Sequence, residues 1–259
     1  MSSPCELILY ASKSKAAKAA KEIYATTRAL QRRYSFYDPS SELSFVNSRK
    51  THKLSSELFF LLDQAKKYHD ATNTLFDITI GTFKSCLHHR TYEEYQECIK
   101  KMKRYAGWEH IELSPHHIRF DNPYTKLDLG GLVKEYAVDR ARSIIKKHKI
   151  SGIVNFGGDI FAVGTKPDGS AFRIGIKNPR NLHTFLQFVQ LRDKAIATSG
   201  KYERSFIVQN RRIEHIFKKE LKASSVSVIA PSCMEAGVYA TALMMEPCLE
   251  HNYKTIMVL

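Results

Sequence analysis

The chain has 259 residues, enough to bury a large core in one domain or in two closely packed lobes. Hydrophobic residues make up 43% and charged residues 25%, as in ordinary globular proteins, and no run of about 18 apolar residues offers a membrane-spanning helix. The formal net charge of +14 attracts polyanions, whether nucleic acid, acidic protein or a phosphate-bearing cofactor.

The basic residues are spread along the chain rather than gathered in a stripe. The densest clusters, Lys100 to Arg104 and Lys146-Lys147-His148-Lys149, read as solvated helix ends, and no helix-turn-helix or RNP-like pattern accompanies them. Nucleic-acid binding is therefore the least favoured class. The five cysteines (Cys5, Cys86, Cys98, Cys233, Cys248) form no C-x-x-C pair and read as free thiols in a reducing compartment. Met1 to Tyr10 shows no basic region followed by an apolar one, so no signal peptide is expected and a cytoplasmic location is the simplest.

In chain order, Glu6 to Tyr10 reads as a short strand. Ala16, Ala20, Ile23, Thr27 and Leu30 recur at helical spacing and predict a long helix from Lys13 to Tyr34, ended near Tyr37-Asp38-Pro39. Ser55 is a candidate N-cap for a helix through His69. Thr91 to Tyr105 predicts a polar helix, and Gly107 to Leu113 with His117 to Phe120 predict two strands about Ser114-Pro115. Lys126 to Leu129 reads as a strand entering Gly130-Gly131 and a helix, Leu132 to Lys147. Further strands are expected at 152–156, 172–176, 186–191, 195–199, 206–208, 226–230 and 254–259, with a helix from Met234 to Met245. Helices interleaved with many strands give an α/β (α+β) class. No internal repeat is present.

Three small-residue turns after strands are candidates for a shared ligand crevice: Gly130-Gly131, Gly157-Gly158 followed by Asp159, and Ser199-Gly200. Each could equally be an ordinary tight turn. The first leads into a helix, whose free N–H groups suit a pyrophosphate. It is not G-x-G-x-x-G, so a Rossmann fold is not expected. Asp77, within Phe76-Asp77-Ile78-Thr79, faces either a ligand or its own backbone in an Asx turn. Asp128 faces either a ligand or the next helix's N–H groups. His215, in an alternating segment, is eligible as a general base or is a satisfied structural histidine.

Taken in order, these segments resemble the ApbE-type FAD:protein FMN transferases. The matching stretches are Tyr37-Asp38-Pro39-Ser40-Ser41-Glu42-Leu43-Ser44, Phe76-Asp77-Ile78-Thr79, and Leu127-Asp128-Leu129-Gly130-Gly131-Leu132-Val133-Lys134 with Tyr136 and Asp139. They continue with Val154-Asn155-Phe156-Gly157-Gly158-Asp159, Arg173-Ile174-Gly175-Ile176, Ile196-Ala197-Thr198-Ser199-Gly200, His215-Ile216, and Ser227-Val228-Ile229-Ala230-Pro231 with Ala240-Thr241-Ala242-Leu243. The resemblance spans roughly Tyr34 to Met245.

It implies a single ApbE-like domain, 1–259, with mixed sheets and helices around a central FAD cleft. It also implies transfer of FMN from FAD to a Thr or Ser hydroxyl of a target flavoprotein, with release of AMP and help from Mg2+. Tyr37, Leu75, Phe76, Asp77, Asp128 and Lys134 would contact FAD, as would the turn residues Gly157, Gly158, Asp159, Ser199 and Gly200 and the segment at Ile216. His215 would be the base, and the metal would lie at Gly131, Gly237 and Thr241.

The chain departs from the family at that metal. The family helix carries an acid four residues before its threonine, and here Thr241 is preceded at that distance by Gly237. Glu235 lies about 200° around the helix from the threonine-facing position and is a poor substitute. The family's Lys-Gly is Lys134-Glu135, and Lys218, Lys219 and Lys222 follow His215-Ile216 where the family has a proline and a glycine. The alternative expectation is therefore a catalytically impaired member that binds or carries FAD, or regulates a partner.

Overall fold

A computed structural model of the protein describes residues 4–201, 205–208, 211–214 and 221–259. In chain order the elements are β1 (Cys5–Tyr10), α1 (Lys13–Arg33), α2 (Glu42–Asn47), α3 (Ser56–Ala71), α4 (Tyr92–Met102), β2 (Ile111–Ser114), β3 (His117–Phe120) and α5 (Val133–Lys147). Then come β4 (Ser151–Phe156), β5 (Asp159–Val163), β6 (Phe172–Asn178), β7 (Asn181–Leu191), β8 (Lys194–Gly200), β9 (Ser205–Val208), β10 (Arg211–Glu214), β11 (Ser225–Ala230), α6 (Cys233–Met245) and β12 (Lys254–Val258). The mixed α+β class holds. The chain divides into two compact units.

The first unit comprises Met1–Gln31, Leu132–Gly200 and Lys222–Leu259. Its frame is an antiparallel six-stranded sheet in the order β1-β4-β5-β8-β11-β12. Alternation sorts the side chains of β4 and β11: Val154 and Phe156, and Val226 and Val228, are buried on the face that α5 and α6 cover. On the other face Ala162, Ile196 and Ile229 pack against Phe172, Ile174, Val189 and Leu191 of the β6–β7 hairpin. Both faces of β11 are thus covered, which is why it reads as an unbroken apolar run. Helix α6 is apolar nearly all round for the same reason. Its N-terminus is capped twice. Ser232 and Glu235 form a capping box, and the Asp139 carboxylate accepts from the N–H groups of Cys233 (2.9 Å) and Met234 (3.0 Å).

The second unit comprises Arg32–Gly131 and Lys201–Leu221. Ser41 and Ser55 cap α2 and α3 through their hydroxyls. Leu58, Leu61, Leu62 and Ala65 form the buried face of α3. Phe59, beside that face, is only half-buried.

Three expectations are corrected here. Lys126 to Leu129 is extended but forms no strand; a single bridge links Lys126 to Ile80. Its neighbour is a side chain: the Asn47 amide donates to Leu127 O and accepts from Leu127 N, both at 2.8 Å, as an adjacent strand would. Gly200 ends β8, paired with Ser225, and is not a turn. Cys86 and Cys98 are bonded as a disulfide, leaving Cys5, Cys233 and Cys248 free.

The disulfide joins the 3-10 turn Gly81–His88 to α4, over a small cluster of Tyr95, Leu87, Ile99 and Met102. No short sequence motif signals such a pairing. The reducing-compartment expectation rested on free thiols, so its support falls. Closing a loop of 12 residues restricts the unfolded chain, so Cys86→Ser should cost roughly 2–3 kcal/mol in chemical denaturation. Alkylation of the unreduced, denatured protein should label three cysteines; five would show that the bond does not form.

Candidate functional site

In the first unit the expected residues gather where the first turn of α5 meets β5 and α6. Lys134 and Glu135 lie in the first turn of α5, whose N-cap Leu132 makes no side-chain hydrogen bond to the helix end. The Lys134 ammonium lies 2.5 Å from Asp159 Oδ2 and 3.8 Å from Glu135 Oε1. All three side chains are at least nine-tenths buried. The cluster therefore holds two carboxyl groups and one ammonium away from water. Glu135 Oε2 has no hydrogen-bond partner. Burial, and then the neighbouring Asp159, push the Glu135 carboxyl well above the usual carboxylate range.

Glycine in a helix interior costs about 1 kcal/mol against alanine, so Gly237 in the middle of α6 calls for a reason. Glu135 supplies one. A methyl group at Gly237 would lie 2.6 Å from Glu135 Cγ and 3.2 Å from Oε1. The side chain of Glu135 thus fills the space that a side chain at 237 would need. One turn along the same α6 face, Thr241 Oγ1 lies 3.2 Å from Ser199 Oγ of β8. Glu235, in the capping box, takes no part.

Gly157 and Gly158 form the two-residue turn of the β4–β5 hairpin, with Phe156 paired to Asp159. Both have positive φ (63° and 96°), which is what this tight turn demands of its backbone. The ordinary-turn alternative thus accounts for this Gly-Gly, whose service is to deliver Asp159 to Lys134. The Cys233 thiol is buried, and burial followed by the nearby Asp159 and Asp139 pushes its pKa well up, so it is no nucleophile.

In the second unit, Phe76 and Asp77 are buried and Leu75 half-buried. Asp77 Oδ1 accepts from both the N–H and the hydroxyl of Thr79 at 2.8 Å, forming the anticipated Asx turn. The Phe76 ring lies 3.9 Å from where a Cβ of Gly131 would stand. Asp128 does not cap α5. One of its oxygens accepts from Gly130 N at 2.9 Å and the other pairs with Lys84 at 2.7 Å.

Lys84 was not singled out by sequence. Its ammonium sits 4.5 Å from the Phe36 ring centroid and 4.6 Å from that of Tyr37, whose side chain is largely exposed. Its place in the 3-10 turn just after Phe76-Asp77-Ile78-Thr79 is the one signal that could have drawn attention to it. His215, Ile216, Lys218 and Lys219 lie outside the described residues. Lys222 pairs with Glu246. Among the described residues no group of three or more His, Cys, Asp or Glu side chains could hold a metal ion.

The chain is similar to known proteins of one family. The ApbE family model matches residues 1–252. A FAD:protein FMN transferase of Chlamydia pneumoniae is 32% identical over 232 residues, covering 82% of this chain and 71% of its own. One of Chlamydia trachomatis serovar D is 32% identical over 245 residues, covering 87% and 75%. Among solved structures, the ApbE protein of Thermotoga maritima superposes with a TM-score of 0.84 at 26% identity, over 94% of this chain and 83% of that one. The flavin transferase ApbE of Vibrio cholerae gives a TM-score of 0.74 at 21% identity over 98% of each chain, a likeness of fold.

Proposed function

Because the chain belongs to the ApbE family, we propose that it is a FAD:protein FMN transferase, acting on a Thr or Ser hydroxyl of a target flavoprotein. The observation that carries this is the family match over residues 1–252, joined to relatives at 32% identity that bear that activity in their names.

In this reading the acceptor hydroxyl oxygen attacks the FMN-side phosphorus of FAD. The bridging P–O bond breaks, AMP leaves, and the hydroxyl proton passes to a base, His215. Positioning and charge neutralisation do most of the work in such a transfer. Tyr37, Leu75, Phe76, Asp77 and Asp128 bind the flavin nucleotide, with Lys84 joining them through its pair with Asp128. Lys134 (held in place by Asp159), Ser199 and the uncapped start of α5 receive its phosphates.

The donor set suits Mg2+, which uses one or two carboxylates together with substrate phosphate rather than an all-protein cage. The unpartnered, buried Glu135 Oε2 and the Thr241 hydroxyl are the groups in the first unit that would hold it. When bound, the ion neutralises charge on the pyrophosphate. Among the described residues no helix is long and apolar enough to cross a membrane. The Cys86–Cys98 bond fits an oxidising compartment better than the cytoplasm first expected.

Gly237 favours a second reading, a member that binds FAD without transferring FMN. Incubation with FAD, Mg2+ and a flavoprotein acceptor separates the two. In-gel flavin fluorescence on the acceptor is expected. FAD binding with no labelled acceptor, and none on adding further acceptor candidates from the same cells, would overturn the transferase and leave the carrier.

A further inference from the structure

We propose that Glu135 is the carboxylate with which this chain holds its divalent cation, reaching from α5 into space that Gly237 leaves open on α6; this rests on the metal-assisted transfer proposed above.

Four observations converge. The Glu135 side chain is nine-tenths buried, yet its Oε2 has no hydrogen-bond partner. A buried carboxylate oxygen left bare is costly, so an unpaired one marks a place for a missing partner. Lys134 cannot be that partner for both acids, since it stands 2.5 Å from Asp159 and 3.8 Å from Glu135. Two acid side chains thus share one ammonium, and it stands against Asp159 rather than Glu135. The missing side chain at 237 is what admits Glu135, because any Cβ there would meet its Cγ at 2.6 Å. The Thr241 hydroxyl lies one turn along the same α6 face as Gly237, the position beside which the Glu135 carboxyl stands, so a hydroxyl and a carboxyl from another helix share that face. Hard oxygen donors of this kind suit Mg2+ or Mn2+.

This geometry also bears on the substitution that the sequence alone would suggest. Gly237→Asp adds a side chain where Glu135 already lies, so by itself it should not strengthen metal binding. Exchange of the two positions should.

The test measures Mn2+ binding to the whole protein by EPR, with and without FAD, alongside FAD binding by flavin fluorescence and melting by circular dichroism. Glu135→Gln is expected to weaken Mn2+ binding by about tenfold or more. It should melt no lower than the parent without metal, because an uncharged group of the same shape replaces a buried carboxyl whose Oε2 has no hydrogen-bond partner. Gly237→Asp should bind Mn2+ no better than the parent, whereas the Glu135→Gly/Gly237→Asp exchange should restore binding to within a few-fold, roughly. A Glu135→Gln protein that binds Mn2+ as tightly as the parent would overturn the inference, as would a parent that binds none. Neither result touches the transferase, which the acceptor-labelling assay decides. Conversely, Glu135-dependent Mn2+ binding without labelling would sink the transferase and leave this site standing.

Discussion

Replacing Lys134 by methionine is expected to destabilise the protein by roughly 3–5 kcal/mol, the range for removing one partner from a buried ion pair. The lysine stands 2.5 Å from Asp159, and both side chains are at least nine-tenths buried. Without it, Asp159 and Glu135 face one another with no cation between them. The aliphatic stem is largely kept in methionine, so lost packing contributes little. Urea denaturation checks the size of the effect. The triple variant Lys134→Met/Glu135→Gln/Asp159→Asn, which carries no charge at these positions, should regain most of the loss. A cost below about 1 kcal/mol for the single change would mean that water reaches the cluster. The same variant should weaken FAD binding, read by flavin fluorescence, and the triple variant should not recover it. Stability and binding thereby separate, since neutralising the carboxylates repairs the first alone.

The second large effect lies far from any reacting group. Asn47→Ala should cost roughly 2–4 kcal/mol, because it strands two backbone groups of Leu127 in the core at once. Asn47 donates to one and accepts from the other, both at 2.8 Å, and Leu127 is fully buried. Asn47→Asp keeps an acceptor but loses the donor and buries a charge, so it should fare no better. Thermal melting of the two variants provides the comparison. An Asn47→Ala protein that melts within a degree or so of the parent would show that water replaces the amide. The segment that Asn47 holds runs directly into Asp128 and Gly130-Gly131. This variant should therefore also loosen the Asp128–Lys84 pair and raise the KM for FAD.

Several site features could be seen before any coordinates. The Asx turn at Asp77 is one, because an aspartate followed two residues later by a threonine contains its own partners. Capping by Ser55 and the course of α1 are others, since both depend on neighbours within a turn or two. Asp139 was legible only as part of a family pattern. Its physical task, capping α6 from α5, needed the two helices side by side. Gly157-Gly158 is visible as a turn, while β5, which follows it directly, is not legible in the sequence.

The sequence by itself determined most of the helices and strands, the family, and the position at which the family's metal acid is lacking. Periodicity, caps and ordered motifs are properties of residues near one another in the chain, and they survive without knowledge of packing. Only the tertiary structure decided that Asn47 serves as a strand for Leu127, that Cys86 meets Cys98, that Lys84 stands between two rings and Asp128, and that Glu135 lies in the gap at Gly237. Each is a contact between residues apart in the chain, brought close by packing. Nothing local in the chain specifies which distant residue fills a space, because that depends on how the buried surfaces of whole elements close against one another.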